Sequence, residues 1–268
     1  VRAVMAQDID VMRSVAKHIS RFMKDTQMLD LRDVVEELWS TFLEETDFMK
    51  EANNLQEFAE LNKNVVFISC PKPYLEYCTE SVLVMEYIEG ISIRDTKKLK
   101  EYGYDLDEIG LKVMDNYATQ ILEHGFFHAD PHPGNLFVHE GKVVYLDLGI
   151  MGRLSVRERM GFSKIIEAVG SQNASDLKDA LISFSVEHDL AAIDHARLLA
   201  ELDNVLKSYC ATNVADIDIG ALLSDIMALT RQCRVTLPSS VTAVSRGIGN
   251  HGRISGGVFS QYEHDRNY

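Results

Sequence analysis

The chain is short of proline, of basic charge, of paired cysteines and of long apolar runs, and each shortage excludes something. Only 5 prolines occur in 268 residues, so long helices can run uninterrupted. Lys and Arg number 27 against 41 Asp and Glu, a net charge of −14. Nucleic-acid phosphates are repelled on average by such a chain, so nucleic acid is not an expected partner. The four cysteines, Cys70, Cys78, Cys210 and Cys233, form no C-x-x-C pair. A chain of this length needs no disulfide staples, and they read as reduced, core-filling thiols of an intracellular protein. No apolar run approaches the roughly 20 residues of a membrane-crossing helix, so no transmembrane segment is expected. Arg2, Asp8 and Asp10 argue against a signal peptide, and the missing initiator Met implies a natural start further upstream. What remains is 46% hydrophobic and 25% charged residues, the balance of a globular protein rather than a disordered one.

Hydrophobic spacing then orders the chain. Val4, Met12, Val15, Ile19 and Phe22 share a helical face, and Val34 to Leu43 make a second one. The helical pattern continues through Asp47-Phe48 to Glu51, Leu55 and Phe58. Val65–Cys70 and Ser81–Ile88 are β-branched runs closed by Pro71 and by Glu89-Gly90, and they predict strands. Helices are predicted over Ile93–Lys100 and Leu106–His124, then a Gly-, His- and Pro-rich loop from Gly125 to Asn135. Leu136-Phe137-Val138 and Val143-Val144-Tyr145-Leu146 flank His139-Glu140-Gly141-Lys142 as a hairpin. From Ser155 onward the pattern is helical: Ser155 with Glu158 forms a capping box, a helix ends near Gly170, and Pro238 opens the last helix. Gly249 to Tyr268 is too rich in glycine for a firm helix and is expected to be loosely held. The order predicts an α+β protein with a small strand-bearing lobe and a large helical lobe.

The chemistry concentrates in His128-Ala129-Asp130-Pro131-His132-Pro133-Gly134-Asn135 and, beyond the hairpin, Asp147-Leu148-Gly149. Phosphoryl transfer needs one carboxylate to orient or deprotonate the attacking group. It also needs a carbonyl-type oxygen and a second carboxylate to hold the metals that bridge the phosphates. The hairpin returns the chain so that Asp147 faces the loop of Asp130 and Asn135. Turn chemistry alone explains the residue types but not two spaced acidic centres. The competing site is a metal-dependent hydrolase in which His128, Asp130 and His132 alternate as ligands on an extended strand. Pro131 and Pro133 argue against a regular strand there.

H-A-D-P-H-P-G-N-L-F followed by Y-L-D-L-G resembles the UbiB/AarF family of atypical kinases, whose eukaryotic members act in coenzyme Q biosynthesis. Glu45-Thr46-Asp47 with Glu51-Ala52-Asn53-Asn54 matches the family's E-x-D and E-A-x-N signature, and Val84 to Gly90 resembles its linker between lobes. The likeness covers about Asp8 to Pro238. It implies a protein-kinase-like fold, with a partial N-lobe of few antiparallel strands and an αC-like helix over 1–88 and a helical C-lobe over 89–268. It implies Mg2+ and ATP as cofactors, with Asp130 as the catalytic-loop aspartate and Asn135 and Asp147 as metal ligands. Glu51 becomes the helix glutamate that pairs with a nucleotide-binding lysine, and Glu45 and Asp47 lie near the nucleotide phosphates. By the same resemblance Met85 is expected as gatekeeper, with the backbone of Glu86 to Ile88 against adenine. Without the resemblance, Glu45, Asp47 and Glu51 read as a solvated helix face and Met85 as core. The family's lysine strand, phosphate loop and K-x-G-Q helix are not found upstream, which leads to the expectation of an N-terminally truncated chain and leaves open whether the piece alone turns over.

Ala129 stands where typical protein kinases carry an arginine, and after Gly149 only Ile150 to Leu154 precede the next helix. The peptide-docking segment of a protein kinase is therefore missing. The expected activity is ATP hydrolysis or phosphorylation of a small or lipid-linked molecule, such as a quinone precursor. A pseudokinase scaffold that binds without turnover is the other alternative. The expected location is the cytoplasm or an organelle matrix, with peripheral membrane contact through the lipid.

Overall fold

The computed structural model describes residues 2–22, 35–36, 39, 46–185, 193–210, 219–245 and 247. The chain divides into two compact units, residues 1–56 with 72–86, and residues 57–71 with 87–268. Glu45, most of the helical run Val34–Leu43 and the stretch from Gly249 lie outside the described residues.

In the smaller unit, α1 (Arg2–Phe22) buries Ile9 and Ala16 with Val35 and Trp39. Arg13 on α1 grips Glu36 through two bonds of 2.7 Å and lies 6.0 Å from the Trp39 ring centre. Helix α2 (Phe48–Leu61) starts where Asp47 accepts from the backbone N–H of Met49 and Lys50, at 3.1 and 3.4 Å, so this carboxylate caps the helix. The run Ser81–Ile88 is not the strand its composition predicts. It makes isolated bridges only, Thr79 with Val82 and Pro73 with Met85. Pro73, opposite Met85, lacks the N–H group that a continuous ladder beside this run would require.

The larger unit carries a four-stranded sheet in the order β1 (Ile68–Ser69), β5 (Lys142–Tyr145), β4 (Leu136–His139), β2 (Ile91–Ser92). β1 runs parallel to β5, and the other pairs are antiparallel. The β4–β5 hairpin pairs Leu136 with Tyr145 and His139 with Lys142, as its composition predicts. Glu140 (φ 48°) and Gly141 (φ 78°) are both left-handed, the conformation that a tight two-residue turn between twisted strands demands. Helices α3 (Thr96–Glu101) and α4 (Leu106–Thr119) follow β2; Asp105 caps α4 through the N–H groups of Asp107 and Glu108.

A two-stranded ribbon pairs β3 (Phe126–His128) with β6 (Met151–Arg153). Gly152 faces Phe127, where an added Cβ would come within 2.3 Å of the ring, so only glycine admits the pairing. Helices α5 (Val156–Gly170), α6 (Ala174–Phe184), α7 (His195–Cys210) and α8 (Ile219–Gln232) close the unit around Leu177, Leu181, Leu198 and Leu202, all buried. The capping box at Ser155 is complete, and residues 239–245 are helical just after Pro238. Cys70, Cys78 and Cys233 form no disulfide, and burial pushes the Cys233 thiol pKa up. Among the described residues no helix is long and apolar enough to cross a membrane.

Candidate functional site

The hairpin and the ribbon place the loop residues. After α4 the helix widens into a single π turn, Gln120–His124, and stops at Gly125 in the left-handed region (φ 64°). The chain then runs back as β3, delivers His128 into the interior, and emerges with Asp130 exposed. His132 starts the short turn Pro133–Asn135, its ring accepting from the Gly134 N–H, and β4 begins. The hairpin brings the chain back so that the Leu146 N–H donates to the Asn135 carbonyl at 2.9 Å. One residue later the Asn135 amide donates from Nδ2 to Asp147 Oδ2 at 3.1 Å. The other Asp147 oxygen accepts from the Gly149 N–H at 2.9 Å. Asp147 is exposed and Asn135 half-buried, so both side chains are open to solvent.

His128 links the two ends of this site. Its Nε2 lies 2.9 Å from the Asp147 carbonyl, and its Nδ1 accepts the Asp130 backbone N–H at 3.3 Å. This pattern requires the neutral tautomer with the proton on Nε2. Burial pushes the imidazole pKa down, against the opposing pull of Asp147 and Asp130, which agrees with a neutral ring. The Tyr117 hydroxyl donates to the His128 carbonyl at 3.0 Å, and burial holds that phenol well above its ordinary pKa.

The hydrolase alternative fails on these contacts. Both ring nitrogens of His128 are engaged within the fold, and the His132 ring nitrogens lie 2.8 and 3.2 Å from the Arg94 guanidinium. A ligand must offer a free lone pair, and a neutral His128 has already given its own to Asp130. Among the described residues no group of three His, Cys, Asp or Glu side chains stands close enough to hold a metal.

Of the remaining sequence-predicted residues, Asp47 caps α2 and Glu51 sits half-buried in that helix's first turn. Met85 is half-buried at its bridge with Pro73. The Glu86 N–H donates to the Lys72 carbonyl at 2.9 Å, and its carboxylate accepts the Lys72 N–H at 3.2 Å. Ile88 is half-buried in the larger unit. Sequence reasoning missed Asn62, Asn116 and Gln120, three amides at most 4% exposed. The available signal was their position: Asn116, on the face of α4 that also carries Val113 and Tyr117, and Gln120, four residues on at the start of the π turn, continue an apolar face where a polar residue needs a partner.

Asn135 and Asp147 suit a magnesium ion. Both offer hard oxygens, they are already within hydrogen-bond reach, and their exposure leaves room for water and phosphate oxygens.

Residues 1–181 match the family model described as ABC1 atypical kinase-like domain. The chain is 33% identical over 201 residues to Protein ACTIVITY OF BC1 COMPLEX KINASE 8, chloroplastic, of Arabidopsis thaliana, covering 71% of this chain and 26% of that one. It is 26% identical over 262 residues to the Probable protein kinase UbiB of Tolumonas auensis, covering 94% and 48%. A solved structure, the complex structure of Rv3197-erythromycin from Mycobacterium tuberculosis, superposes with a TM-score of 0.58 at 18% identity, over 92% of this chain and 64% of that one. The chain spans less than half the length of these curated relatives.

Proposed function

This chain belongs to the ABC1 atypical kinase-like family, and on that premise we propose that it is an ATP-dependent phosphotransferase or ATPase centred on Asp130, Asn135 and Asp147. The fold is protein-kinase-like and α+β. The observation that carries the proposal is the Asn135–Asp147 contact of 3.1 Å, twelve residues apart in sequence and closed by the hairpin, with Asp130 tied to the same centre through His128.

Asn135 and Asp147 would hold the divalent cation, whose chemistry is to neutralise charge on the nucleotide phosphates. Asp130 orients the acceptor hydroxyl or water and takes its proton. The Gly149 N–H and the Asn135 amide hold Asp147 in one orientation before any ligand arrives. The family resemblance gives Glu45, Asp47, Glu51, Met85 and the backbone of Glu86 to Ile88 nucleotide-binding roles, each a proposal to be tested by substitution and nucleotide affinity.

The acceptor is a small or lipid-linked molecule of isoprenoid-quinone metabolism rather than a protein. Residues 150–155 support this. They pair at once with β3 as β6 and enter the capping box of α5, leaving no room for a peptide-docking segment between Gly149 and α5. A lipid-linked acceptor carries with it peripheral membrane contact inside a cell or organelle.

The test uses full-length protein with radiolabelled ATP, offered generic protein substrates or an isoprenoid-lipid extract. Magnesium-dependent hydrolysis or labelling of the extract is expected, and Asp147→Asn should remove it. Labelling of proteins faster than hydrolysis contradicts the acceptor class. Nucleotide binding with no turnover contradicts the enzymatic reading in favour of a scaffold.

A further inference from the structure

A line of buried amides runs from the end of α2 to the catalytic loop, all of it within the larger unit. The Asn62 side chain donates to the Phe58 carbonyl at 2.9 Å. Asn116 donates to Asn62 Oδ1 at 2.6 Å, and Gln120 donates to Asn116 Oδ1 at 2.7 Å. Gln120 Oε1 then accepts the backbone N–H of His128 at 3.0 Å. Exposure is 4% at Asn62, 1% at Asn116, 0% at Gln120 and 3% at His128.

The sense of this line is fixed at both ends. A carbonyl, which can only accept, terminates it at Phe58, and an N–H, which can only donate, terminates it at His128. Every amide between must therefore point its nitrogen toward Phe58 and its oxygen toward His128. No amide can flip without leaving two buried groups facing like against like. Such a line is worth more as a ruler than as adhesive, because an apolar core would hold the helices equally well. What it holds is His128, whose ring sets both the Asp147 carbonyl and the Asp130 N–H.

We propose that Gln120, oriented by Asn116 and Asn62, is a positioning residue for phosphoryl transfer: it fixes the His128 backbone and through it the spacing of Asp130 and Asp147. The π turn at Gln120–His124 belongs to the device, since it ends α4 so that β3 passes back beside Gln120, eight residues on. The inference rests on the phosphotransferase reading, and the experiment separates the two.

Full-length protein and the variants Gln120→Leu, Gln120→Glu, Asn116→Leu and Asn62→Ala are compared for kcat, KM for ATP and melting temperature. Gln120→Leu should lower kcat by about 10- to 100-fold with little change in KM, as loss of an orienting outer partner does. The loss should shrink along the line, Gln120 most and Asn62 least. Gln120→Glu keeps the oxygen that receives the His128 N–H and should retain more kcat than Gln120→Leu, whatever the order of their melting temperatures. Unaltered kcat per folded molecule in Gln120→Leu, or losses that simply track melting temperature, would overturn the proposal. Should the variants not fold, hydrogen exchange in the wild-type protein decides: the His128 N–H is expected among the slow amides of the core, and exchange as fast as that of an unbonded surface amide refutes it. Exchange needs no activity, so a wild-type protein without turnover fails the phosphotransferase reading and leaves this readout intact.

Discussion

The hairpin region and the helical layer of the larger unit are held in different ways. Around β4 and β5 the backbone is set by directional bonds: a left-handed turn at Glu140 and Gly141, the Asn135–Asp147 contact, and His128 bonded at both ring nitrogens. Across α5 to α8 the chain is set mainly by apolar volume, with Leu177, Leu181, Leu198 and Leu202 each out of water. Directional bonds fix positions to fractions of an ångström, whereas apolar packing fixes stability with looser demands on identity. The hairpin region should therefore lose activity before stability, and the helical layer stability before activity.

The largest effect that tests this contrast is at Asp130. Asp130→Asn should lower turnover by about 10²- to 10⁴-fold, the usual worth of a positioned acid–base group, with a melting temperature close to wild type because the side chain is exposed. Unfolding of this variant would erase the contrast. Leu198→Ala is its counterpart. The residue is 0% exposed, and the cavity should cost about 2–5 kcal/mol by urea denaturation while kcat per folded molecule holds.

Much of this was legible in the sequence where signals are local. The hairpin, the capping box at Ser155 and the helix after Pro238 each depend on a few adjacent residues, and the structure has all three. The Ser81–Ile88 run misled because a strand is made by its partner, and Pro73, opposite Met85, supplies no donor. The amide line was invisible because Asn62, Asn116 and Gln120 become neighbours only when the larger unit folds. The hydrolase alternative could be dismissed only once the partners of the His128 ring nitrogens were known.

Gly152→Val probes the join between the two regions. The new side chain meets the Phe127 ring, so a loss of about 1–3 kcal/mol is expected, together with lower turnover because β3 carries His128. Intact turnover in the folded fraction would show that the ribbon does not set the loop. Ser155→Ala removes half a capping box at the edge of the helical layer and should cost about 1 kcal/mol, read from denaturant midpoints, with kcat unaffected.

The smallest effect is electrostatic. Arg153 binds Glu57 with bonds of 2.8 and 2.6 Å and holds that carboxyl below its ordinary pKa. A lowered folded-state value means the pair stabilises fully above the unfolded carboxylate pKa, about 4.3, and its contribution disappears as pH falls through the lower folded value. With side chains 38% and 64% exposed, the pair should be worth no more than about 1 kcal/mol, and less in salt. Comparing Glu57→Gln with wild type by denaturation at neutral pH and at low pH should show the difference only at neutral pH.

The central claim is that Asn135 and Asp147 form the cation clamp of a nucleotide site. The direct measurement is a crystal structure of the full-length protein with magnesium and a non-hydrolysable ATP analogue. The account predicts a cation at about 2.1 Å from an Asp147 carboxylate oxygen and from the Asn135 amide oxygen, with the terminal phosphate beside Asp130. A nucleotide bound elsewhere, or a cation held by phosphates alone while the Asn135–Asp147 hydrogen bond stays closed, would contradict it.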